Sequence, residues 1–454
     1  MNRFYSLAGP SGVVTLSFAF VIAVGAFLLW LPLASTENPL SFVDALFTST
    51  SATCVTGLVV VDTGYDLSLF GQLVVLSLIQ IGGLGIMTYT TLFLFVLGGK
   101  FSLKQRFLLQ ESLSQFPVHD FWRLLRFVFG IVIFCEGIGA VLLFAVFFAR
   151  ASFLHAAYSA IFHSVSAFCN AGFGLYSKSL MDYQNNPWLV GIISTLIVLG
   201  GLGFLVIVES WDWLDARFRG AKPARISVQS RLVYITSASL ILLGTVVFLV
   251  LESNHSFRNQ PFGGKLLSAF FQSVTARTAG FNTVDIGAMG DASQFFLVIL
   301  MFIGGSPGST AGGIKTTTFA VFIALLISRF RGRPQTQVFR RAIPSLIIDK
   351  ALSIILLSSL IIVTFAMVLL TIEEEAATHG LQFHFLDYLF ELVSAFGTVG
   401  LSTGVTPTLT AWSKLLLVLT MFIGRLGPLT VSLLIVERGG RAKIEYPEAN
   451  VMVG

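Results

Sequence analysis

The sequence predicts an all-α, polytopic membrane protein built from four tandem repeats. Of its 454 residues, 55% are hydrophobic and only 11% are charged, whereas a soluble protein carries about twice that charged fraction. A motif centred on one glycine also recurs four times. Several apolar runs approach or exceed the ~20 residues that cross a bilayer. These runs are 12–33, 127–149, 187–208, 232–251, 351–372 and 411–436.

The recurring motif is a short run of small, uncharged residues around its glycine. It reads SATCVTGLVV at 51–60, SAFCNAGFGL at 166–175, VTARTAGFNT at 274–283 and SAFGTVGLST at 394–403. The central glycines follow one another at intervals of roughly 110 to 120 residues, which indicates one structural unit used four times. They are Gly57, Gly172, Gly280 and Gly400.

Each repeat is predicted to contain a spanning helix, a short segment, the glycine motif and a second spanning helix. In the fourth, the segment 383–396 is too short to cross the bilayer, so it must enter one leaflet and return. Backbone at that depth must be enclosed by protein or line a wet cavity. We therefore expect four helix–pore loop–helix units around a central pore. The expected divisions are repeat 1 at 1–98, repeat 2 at 99–211, repeat 3 at 212–332, repeat 4 at 333–437 and a tail at 438–454.

The four glycine motifs are predicted to form a cation filter. Glycine permits backbone angles that turn successive carbonyls inward, and inward carbonyls can replace the hydration shell of K⁺. Thr398-Val399-Gly400 matches the start of the potassium-channel signature TVGYG. Small residues also serve close helix packing, which is the alternative explanation. The expected filter residues are Val55, Thr56, Gly57, Asn170, Ala171, Gly172, Thr278, Ala279, Gly280, Thr398, Val399 and Gly400.

A second glycine motif follows each filter and expands in the third repeat into GGSPGSTAGGIKTTT at 304–318. Glycine and proline there are expected to break the helix halfway across the membrane. A gate below the filter, a simple kink and a phosphate-binding loop are the possible explanations. Ile314 interrupts the phosphate-loop pattern, and no strand precedes it. The expected gate residues are Gly304, Gly305, Ser306, Pro307, Gly308, Ser309, Thr310, Ala311, Gly312, Gly313, Lys315 and Arg425.

Buried cations should find partners, because an arginine at the bilayer centre is costly. Arg425 is expected to bind oxygens of the loop 304–315, as part of the gate or as a cap of the broken helix. Lys315 could instead extend to the membrane edge. Arg277, beside the third filter, is expected to pair with a carboxylate. The candidates are Asp44, Asp387 and Glu391.

Charge predicts the orientation of the chain in its membrane. Most of the 28 Lys and Arg residues fall in Arg3 and the segments 98–126, 211–231, 329–350 and 438–454. By the positive-inside rule these segments and both termini are cytoplasmic, and the glycine motifs face outward. The net charge of +5 therefore reflects topology, and no nucleic-acid partner is expected.

Taken together, these motifs resemble the Ktr/Trk/HKT potassium transporters over about residues 12–454. The chain is most similar to the bacterial Ktr membrane subunit, KtrB, because its first helix leads directly into the first glycine motif. The ending GPLTVSLLIVERGGRAKIEYPEANVMVG is also similar to the KtrB tail. In this family glycine at all four filter positions accompanies potassium selectivity, so Gly57 implies K⁺ rather than Na⁺. The resemblance also favours the gate over a kink.

The resemblance implies a homodimer in the bacterial cell membrane, seated on a cytoplasmic ring of nucleotide-binding, RCK-type (KtrA-like) subunits. The basic cytoplasmic loops could bind that ring or anionic lipid, and the tail 438–454 is expected at the dimer interface. K⁺ is the implied cargo, with Na⁺ a candidate activator and no organic cofactor. A coupled K⁺/H⁺ or K⁺/Na⁺ symporter is the competing function. No soluble domain or Walker motif favours an enzyme.

Overall fold

The computed structural model describes residues 2–85, 121–221, 225–376 and 384–427. The described part is mostly α-helical, as the sequence predicts, and adds one two-stranded hairpin. Three of its helices are long and apolar enough to cross a bilayer, at Arg126–Phe147, Val228–Glu252 and Ser345–Glu375. One bent helix pair could supply a fourth span.

The first unit places a short helix between two longer ones. Its helices are α1 Asn2–Trp30, α2 Phe42–Thr53 and α3 Leu69–Gly83. The Ser41 hydroxyl accepts a hydrogen bond from the Asp44 N–H and so caps the start of α2. The remainder of the predicted repeat 1, residues 86–98, lies outside the described residues.

The second unit contains a sharp bend that the sequence does not predict. Its helices are α4 Phe121–Phe147, α5 Phe153–Cys169, α6 Pro187–Leu202 and α7 Phe204–Phe218. A continuous span over 187–208 is wrong, because α6 and α7 meet at 102°. Gly203 at the bend has φ +91°, and a Cβ there would lie 2.5 Å from the Pro307 oxygen. Both its backbone angle and its space therefore require glycine.

The third unit carries the expected break in its second long helix. Its helices are α8 Val228–Glu252, α9 Phe262–Thr275, α10 Asp291–Phe302 and α11 Thr316–Phe330. Strands β1 Gln337–Val338 and β2 Arg341–Ala342 then form an antiparallel hairpin. Its two turn residues, Phe339 and Arg340, have φ of 50° and 63°, as a type I′ turn requires.

The fourth unit has a long helix, a short buried helix and a second apolar helix. These are α12 Ser345–Ala376, α13 Phe385–Gly397 and α14 Ala411–Leu426. Helix α13 begins with a capping box, in which the His384 side chain accepts from the Asp387 N–H and the Asp387 carboxylate accepts from the His384 N–H. The expected continuation of α14 to residue 436 lies outside the described residues.

The short helices α2, α5, α9 and α13 form the buried centre of the molecule. Each carries a fully buried phenylalanine one turn before a serine or threonine. The phenylalanines are Phe47, Phe162, Phe271 and Phe390. Apolar side chains from the long helices complete the core around them. The polar loops that follow the short helices are therefore enclosed by protein, as backbone at membrane depth requires.

In three units a serine of the short helix anchors it to the preceding long helix. Ser49 donates to the Ile22 oxygen at 2.8 Å, Ser164 to the Glu136 oxygen at 2.7 Å and Ser273 to the Ile241 oxygen at 2.8 Å. The long helix carries a glycine at each contact: Gly25, Gly139 and Gly244. A Cβ on these glycines would lie 2.2–2.4 Å from the serine oxygen. Small residues thus allow the close helix approach.

Candidate functional site

Four short loops, one at the end of each short helix, have the same backbone conformation. In each, the central glycine has positive φ: 91° at Gly57, 71° at Gly172, 76° at Gly280 and 89° at Gly400. The residue two positions earlier is also left-handed: Val55 at 56°, Asn170 at 60°, Thr278 at 71° and Thr398 at 49°. Left-handed backbone is rare for residues other than glycine. Its recurrence at four matching positions marks a conformation that the surrounding fold imposes.

The four central glycines pack against one another in a closed ring. A Cβ on each would collide with the carbonyl oxygen that precedes the next glycine along the chain, and the fourth loop contacts the first in this way. The distances are 2.4 Å from Gly57 to Ala171, 2.9 Å from Gly172 to Ala279, 2.7 Å from Gly280 to Val399 and 2.1 Å from Gly400 to Thr56. Positions far apart in sequence are thus brought together as one site with approximate fourfold symmetry.

A hydroxyl near the end of each short helix holds its loop in place. Ser51 accepts from the Gly57 N–H at 3.1 Å and donates to the Leu58 oxygen at 2.7 Å. Ser166 donates to the Phe173 oxygen at 2.7 Å, and Thr275 to the Phe281 oxygen at 2.5 Å. Ser394 accepts from the Gly400 N–H at 3.1 Å. Each loop is therefore tied to the helix that precedes it.

These anchoring residues were missed at the sequence level, although a signal for them exists. Each short helix contains Phe-x-x-x-Ser or Phe-x-x-x-Thr, beginning at Phe47, Phe162, Phe271 and Phe390. In the third unit the connection to the glycine is one residue shorter than in the others. Accordingly, the Ala279 N–H donates to the backbone carbonyl of Thr275, four residues earlier. In the second unit the Ala171 N–H donates to the backbone carbonyl of Ser166, five residues earlier. Alignment on the central glycine alone hides the shared pattern.

The fourth loop has an additional support, the buried carboxylate of Glu391 on α13. It accepts from the Ser402 hydroxyl at 2.5 Å, the Thr403 N–H at 3.1 Å and the Thr406 hydroxyl at 2.6 Å. The side chain is 0% exposed. Its hydrogen bonds connect the short helix to the chain just beyond Gly400, so Glu391 fixes the far end of that loop.

Just before the central glycines, three hydroxyls have no hydrogen-bond partner in the described part of the chain. They belong to Thr56, Thr278 and Thr398 and are buried. Such groups in a folded protein call for an explanation, and an unseen ion or water is one. Thr278 and Thr398 lie two residues before their central glycine, where the first two units have Val55 and Asn170, whereas Thr56 lies one residue before its glycine. The side-chain amide of Asn170, in the orientation that satisfies its neighbours, donates to the Ile197 and Ala167 oxygens. The four loops therefore differ in the side chains that they place around the ring.

The break in the third unit forms a compact irregular loop between α10 and α11. Ile303 pairs with Ile314 at its base, and the Gly304 N–H donates to the Ile314 oxygen at 2.8 Å. The loop also contacts the end of α6. The Ser306 N–H donates to the Gly201 oxygen at 3.0 Å and the Thr310 N–H to the Gly200 oxygen at 3.2 Å. The expected helix break is confirmed, and hydrogen bonds within the protein hold part of its irregular backbone.

This loop lies directly against the ring. A Cβ on Gly312 would be 2.1 Å from the Thr398 hydroxyl, and one on Gly313 would be 3.3 Å from the Gly397 oxygen. The Thr310 hydroxyl donates to the Phe168 oxygen at 3.3 Å, at the end of the second short helix. The predicted filter and gate residues are thus neighbours in space.

Arg425 connects this loop to the first unit. Its guanidinium donates to the Thr310 oxygen in the loop and to the Gly82 oxygen at the end of α3. The expectation that Arg425 binds oxygens of the loop is confirmed. Lys315 donates to the Ala311 oxygen at 2.7 Å, so its ammonium group also binds the loop.

Arg277 does not pair with a carboxylate, and that expectation is wrong. Its guanidinium donates to the Ser237 oxygen at 3.3 Å and the Ser237 hydroxyl at 3.1 Å, on α8. The three candidate carboxylates have other partners. Asp44 pairs with Lys414 at 2.8 Å, Asp387 caps α13, and Glu391 supports the fourth loop. The side chain of Arg277 extends away from the ring toward the first helix of its own unit.

The second glycine motif allows the long helices to approach the short ones closely. A Cβ on Gly82, Gly200 or Gly424 would lie 1.9 Å from a carbonyl oxygen near the end of a short helix. These oxygens belong to Thr53, Phe168 and Phe396. Glycine at these positions therefore permits the close helix approach.

A helical chain with membrane-length apolar segments and four equivalent enclosed loops defines a helical membrane protein with an internal fourfold site. The family model of TrkH, a cation transport protein, matches residues 11–441. The chain belongs to this family of cation transport proteins.

Relatives of known name agree with this assignment. The chain is 40% identical to Ktr system potassium uptake protein B of Bacillus subtilis, over 98% of this chain and 97% of that protein. It is 38% identical to Ktr system potassium uptake protein B of Vibrio alginolyticus, over 98% and 95%. It is 36% identical to the potassium/sodium uptake protein NtpJ of Enterococcus hirae, over 98% and 97%. The resemblance to Ktr and Trk proteins is thus confirmed.

A solved structure shares the fold. The potassium transporter TrkH from Vibrio parahaemolyticus superimposes with a TM-score of 0.70, covering 95% of this chain and 86% of that one at 20% identity. The tail 438–454 and most of the basic loop 98–126, both expected to contact partners, lie outside the described residues.

Proposed function

We propose that the chain is the ion-translocating subunit of a Ktr-type potassium uptake system, and that K⁺ crosses the ring formed by the four glycine loops. The closed packing of Gly57, Gly172, Gly280 and Gly400 carries this proposal. Four similar backbone turns around one axis can present carbonyl oxygens to a single ion and replace its water. Backbone oxygens carry no net charge, so a monovalent cation can both bind and leave.

The ends of the short helices favour a cation at the same place. All four helices end within three residues of their loop, at Thr53, Cys169, Thr275 and Gly397. The C-terminal end of a helix carries a partial negative charge. The unpartnered hydroxyls of Thr56, Thr278 and Thr398 offer further oxygen atoms. Val55 and Asn170 stand where the other two loops have Thr278 and Thr398, so coordination by hydroxyl groups is expected to be uneven around the ring.

Potassium is proposed over sodium because all four positions are glycine and because named relatives are potassium uptake proteins. One relative is named a potassium/sodium uptake protein, which keeps Na⁺ as a candidate activator. No organic cofactor is proposed for this chain.

The loop 304–315 and Arg425 are proposed as the gate. The loop packs on Thr398 from one side and is tied to α3 through Arg425. A fixed positive charge next to the ring would also repel cations until the loop moves. Opening would require the guanidinium to release Thr310 or Gly82.

The assembly is proposed to be a homodimer in the bacterial cell membrane with both termini in the cytoplasm. A nucleotide-binding, RCK-type ring of KtrA-like subunits is proposed on the cytoplasmic side. Support comes from the Ktr system names of the relatives and from the basic loops. The positive-inside rule supports the orientation.

Uptake of Rb⁺ and Na⁺ into proteoliposomes tests the filter, with Gly400→Ser compared with Gly404→Ser. Both glycines have positive φ, but a Cβ on Gly400 meets the Thr56 oxygen at 2.1 Å whereas Gly404 has open space. We expect Gly400→Ser to lower the Rb⁺/Na⁺ uptake ratio about tenfold or more, the equivalent of ~1.4 kcal/mol. Gly404→Ser should keep the ratio of the wild type.

Two results would count against this function. Equal Rb⁺/Na⁺ uptake ratios in the wild type and both variants would show that the ring is not part of the permeation path. Strict stoichiometry between Rb⁺ and a second ion, with uptake only under an imposed gradient of that ion, would favour the coupled symporter. The purified ring subunit should be added in all arms, so that a closed gate is not mistaken for an absent pore.

A further inference from the structure

A cavity of about 350 Å³ lies at the first turn of α8. Three arginines line it, from two separate segments: Arg225 and Arg231 near the start of α8, and Arg341 in the hairpin. All three are exposed. Among the described residues none of them forms an ion pair. Three unneutralised guanidinium groups around one cavity form a site for an anion.

Arginine is the side chain best suited to phosphate, because its planar fork donates two parallel hydrogen bonds and remains charged. Ser227 and Val228, at the N-terminus of α8, also line the cavity. The nearby carboxylate of Glu209 is already engaged. It accepts from the Ser227 N–H, the Ser227 hydroxyl and the Ser230 hydroxyl. It caps the helix and does not line the cavity.

The cavity is also partly apolar. Ile226, Val228 and Phe339 line it beside the arginines. Phe339 is held there by a hairpin turn whose two residues both have positive φ, a conformation that normally selects Asn or Gly. Large apolar side chains are exposed at the helix ends on either side of the hairpin, with Phe330 at 89% and Leu346 at 77%. A cationic cavity with apolar walls fits an amphipathic anion better than a soluble one.

Helix α8 is long and apolar enough to cross the bilayer, so its first turn lies at the boundary between hydrocarbon and water. Phospholipid phosphates lie at that depth, and anionic lipids attract arginines there. We propose that the cavity binds the phosphate of an anionic phospholipid, contributed by the leaflet that borders the first turn of α8. The bound lipid would join α8 to the hairpin that follows α11, the helix next to the gate loop.

Thermal unfolding of the full chain in detergent tests this site, with phosphatidylglycerol or phosphatidylcholine added. We expect phosphatidylglycerol to raise the Tm by about 5 °C and phosphatidylcholine to leave it unchanged. The variant Arg225→Gln/Arg231→Gln/Arg341→Gln should lose this rise, with an apparent affinity about 100-fold weaker. The matched control Arg329→Gln/Arg331→Gln/Arg333→Gln removes three charges outside the cavity and should keep the rise in Tm.

Each other outcome overturns the proposal. If both triple variants lose the rise in Tm equally, the stabilisation by phosphatidylglycerol comes from general surface charge and not from this cavity. Equal protection by glycerol 3-phosphate would assign the cavity to a soluble phosphate, and protection by a hexaglutamate peptide alone would assign it to an acidic protein segment. If the triple variant does not fold, Arg231→Gln replaces it, with an expected affinity loss of about fivefold. An unchanged affinity in that variant would also contradict the site.

Discussion

At the scale of single residues, the site depends on glycine for two reasons that act together. Gly400 has φ +89°, and a Cβ there would lie 2.1 Å from the Thr56 oxygen. The backbone angle alone disfavours other residues, but Gly404 has a similar angle and open space around it. Packing against the neighbouring carbonyl is therefore the property that distinguishes the ring glycines from an ordinary turn glycine.

The central glycines could be predicted from the sequence, since they recur at nearly equal spacing. The anchoring hydroxyls could not be predicted in the same way, because the third unit is one residue shorter between Thr275 and Gly280 than the second between Ser166 and Gly172. The left-handed backbone angles of Val55 and Asn170 could not be predicted from the sequence either. They follow from tertiary contacts, which local propensity does not report.

Glu391 gives a test at this scale. In Glu391→Ala, the Ser402 hydroxyl, the Thr403 N–H and the Thr406 hydroxyl lose their acceptor while remaining buried. We expect the free energy of unfolding to fall by about 3 kcal/mol, together with a lower Rb⁺/Na⁺ uptake ratio because the fourth loop loses its support. Denaturant titration and proteoliposome uptake measure the two effects.

The matched control for that variant is Glu374→Ala, which removes an exposed carboxylate from the end of α12. It should change neither quantity. If Glu391→Ala loses stability but keeps the uptake ratio of the wild type, Glu391 stabilises the fold without positioning the loop.

At the scale of secondary-structure elements, the second long helices behave differently although their motifs are similar. In the third unit GGSPGSTAGG separates α10 from α11, and this break was predictable from its glycine and proline content. In the second unit the residues on both sides of Gly203 are apolar, so the hydropathy does not predict the 102° bend. A Cβ on Gly203 would also meet the Pro307 oxygen of another unit at 2.5 Å, a contact that sequence periodicity does not contain.

Arg425→Gln tests the role of the loop as a gate. The Arg425 guanidinium donates to the backbone oxygens of Thr310 in the loop and Gly82 in α3. The glutamine side chain is shorter and neutral, so it cannot bind both oxygens. Loss of about 1.4 kcal/mol from the closed state would raise Rb⁺ uptake about tenfold. The Rb⁺/Na⁺ ratio should not change, because the ring glycines are untouched.

Leu419→Ala serves as the control for this variant, since Leu419 lies on the same helix with 47% of its surface exposed. It should leave uptake at the level of the wild type. A fall in uptake for Arg425→Gln would instead indicate that the arginine caps the broken helix, which was the structural alternative considered from the sequence.

At the scale of the whole molecule, contacts between distant parts of the chain close the structure around the ring. Lys414 at the start of α14 bonds Asp44 in α2 at 2.8 Å and joins the fourth unit to the first. Gln80 in α3 donates to Glu136 in α4 at 3.2 Å and joins the first unit to the second. Fourfold recurrence predicted such closure, but the particular pairs could not be assigned without coordinates.

The pair Lys414 and Asp44 can be tested by a double-mutant cycle with Lys414→Met and Asp44→Asn. Both side chains are mostly buried, at 13% and 24% exposed, so screening by solvent is limited. We expect a coupling energy of about 1 kcal/mol in the free energy of unfolding. A coupling near zero would mean that the pair does not help to close the ring.

The central claim is that a potassium ion occupies the ring of four glycine loops. Anomalous diffraction from crystals grown in Rb⁺ tests it most directly, because Rb⁺ replaces K⁺ and can be located independently of the protein. We predict a peak on the axis of the ring, within coordination distance of the carbonyl oxygens of Thr56, Ala171, Ala279 and Val399. A peak elsewhere, with none at the ring, would contradict the account.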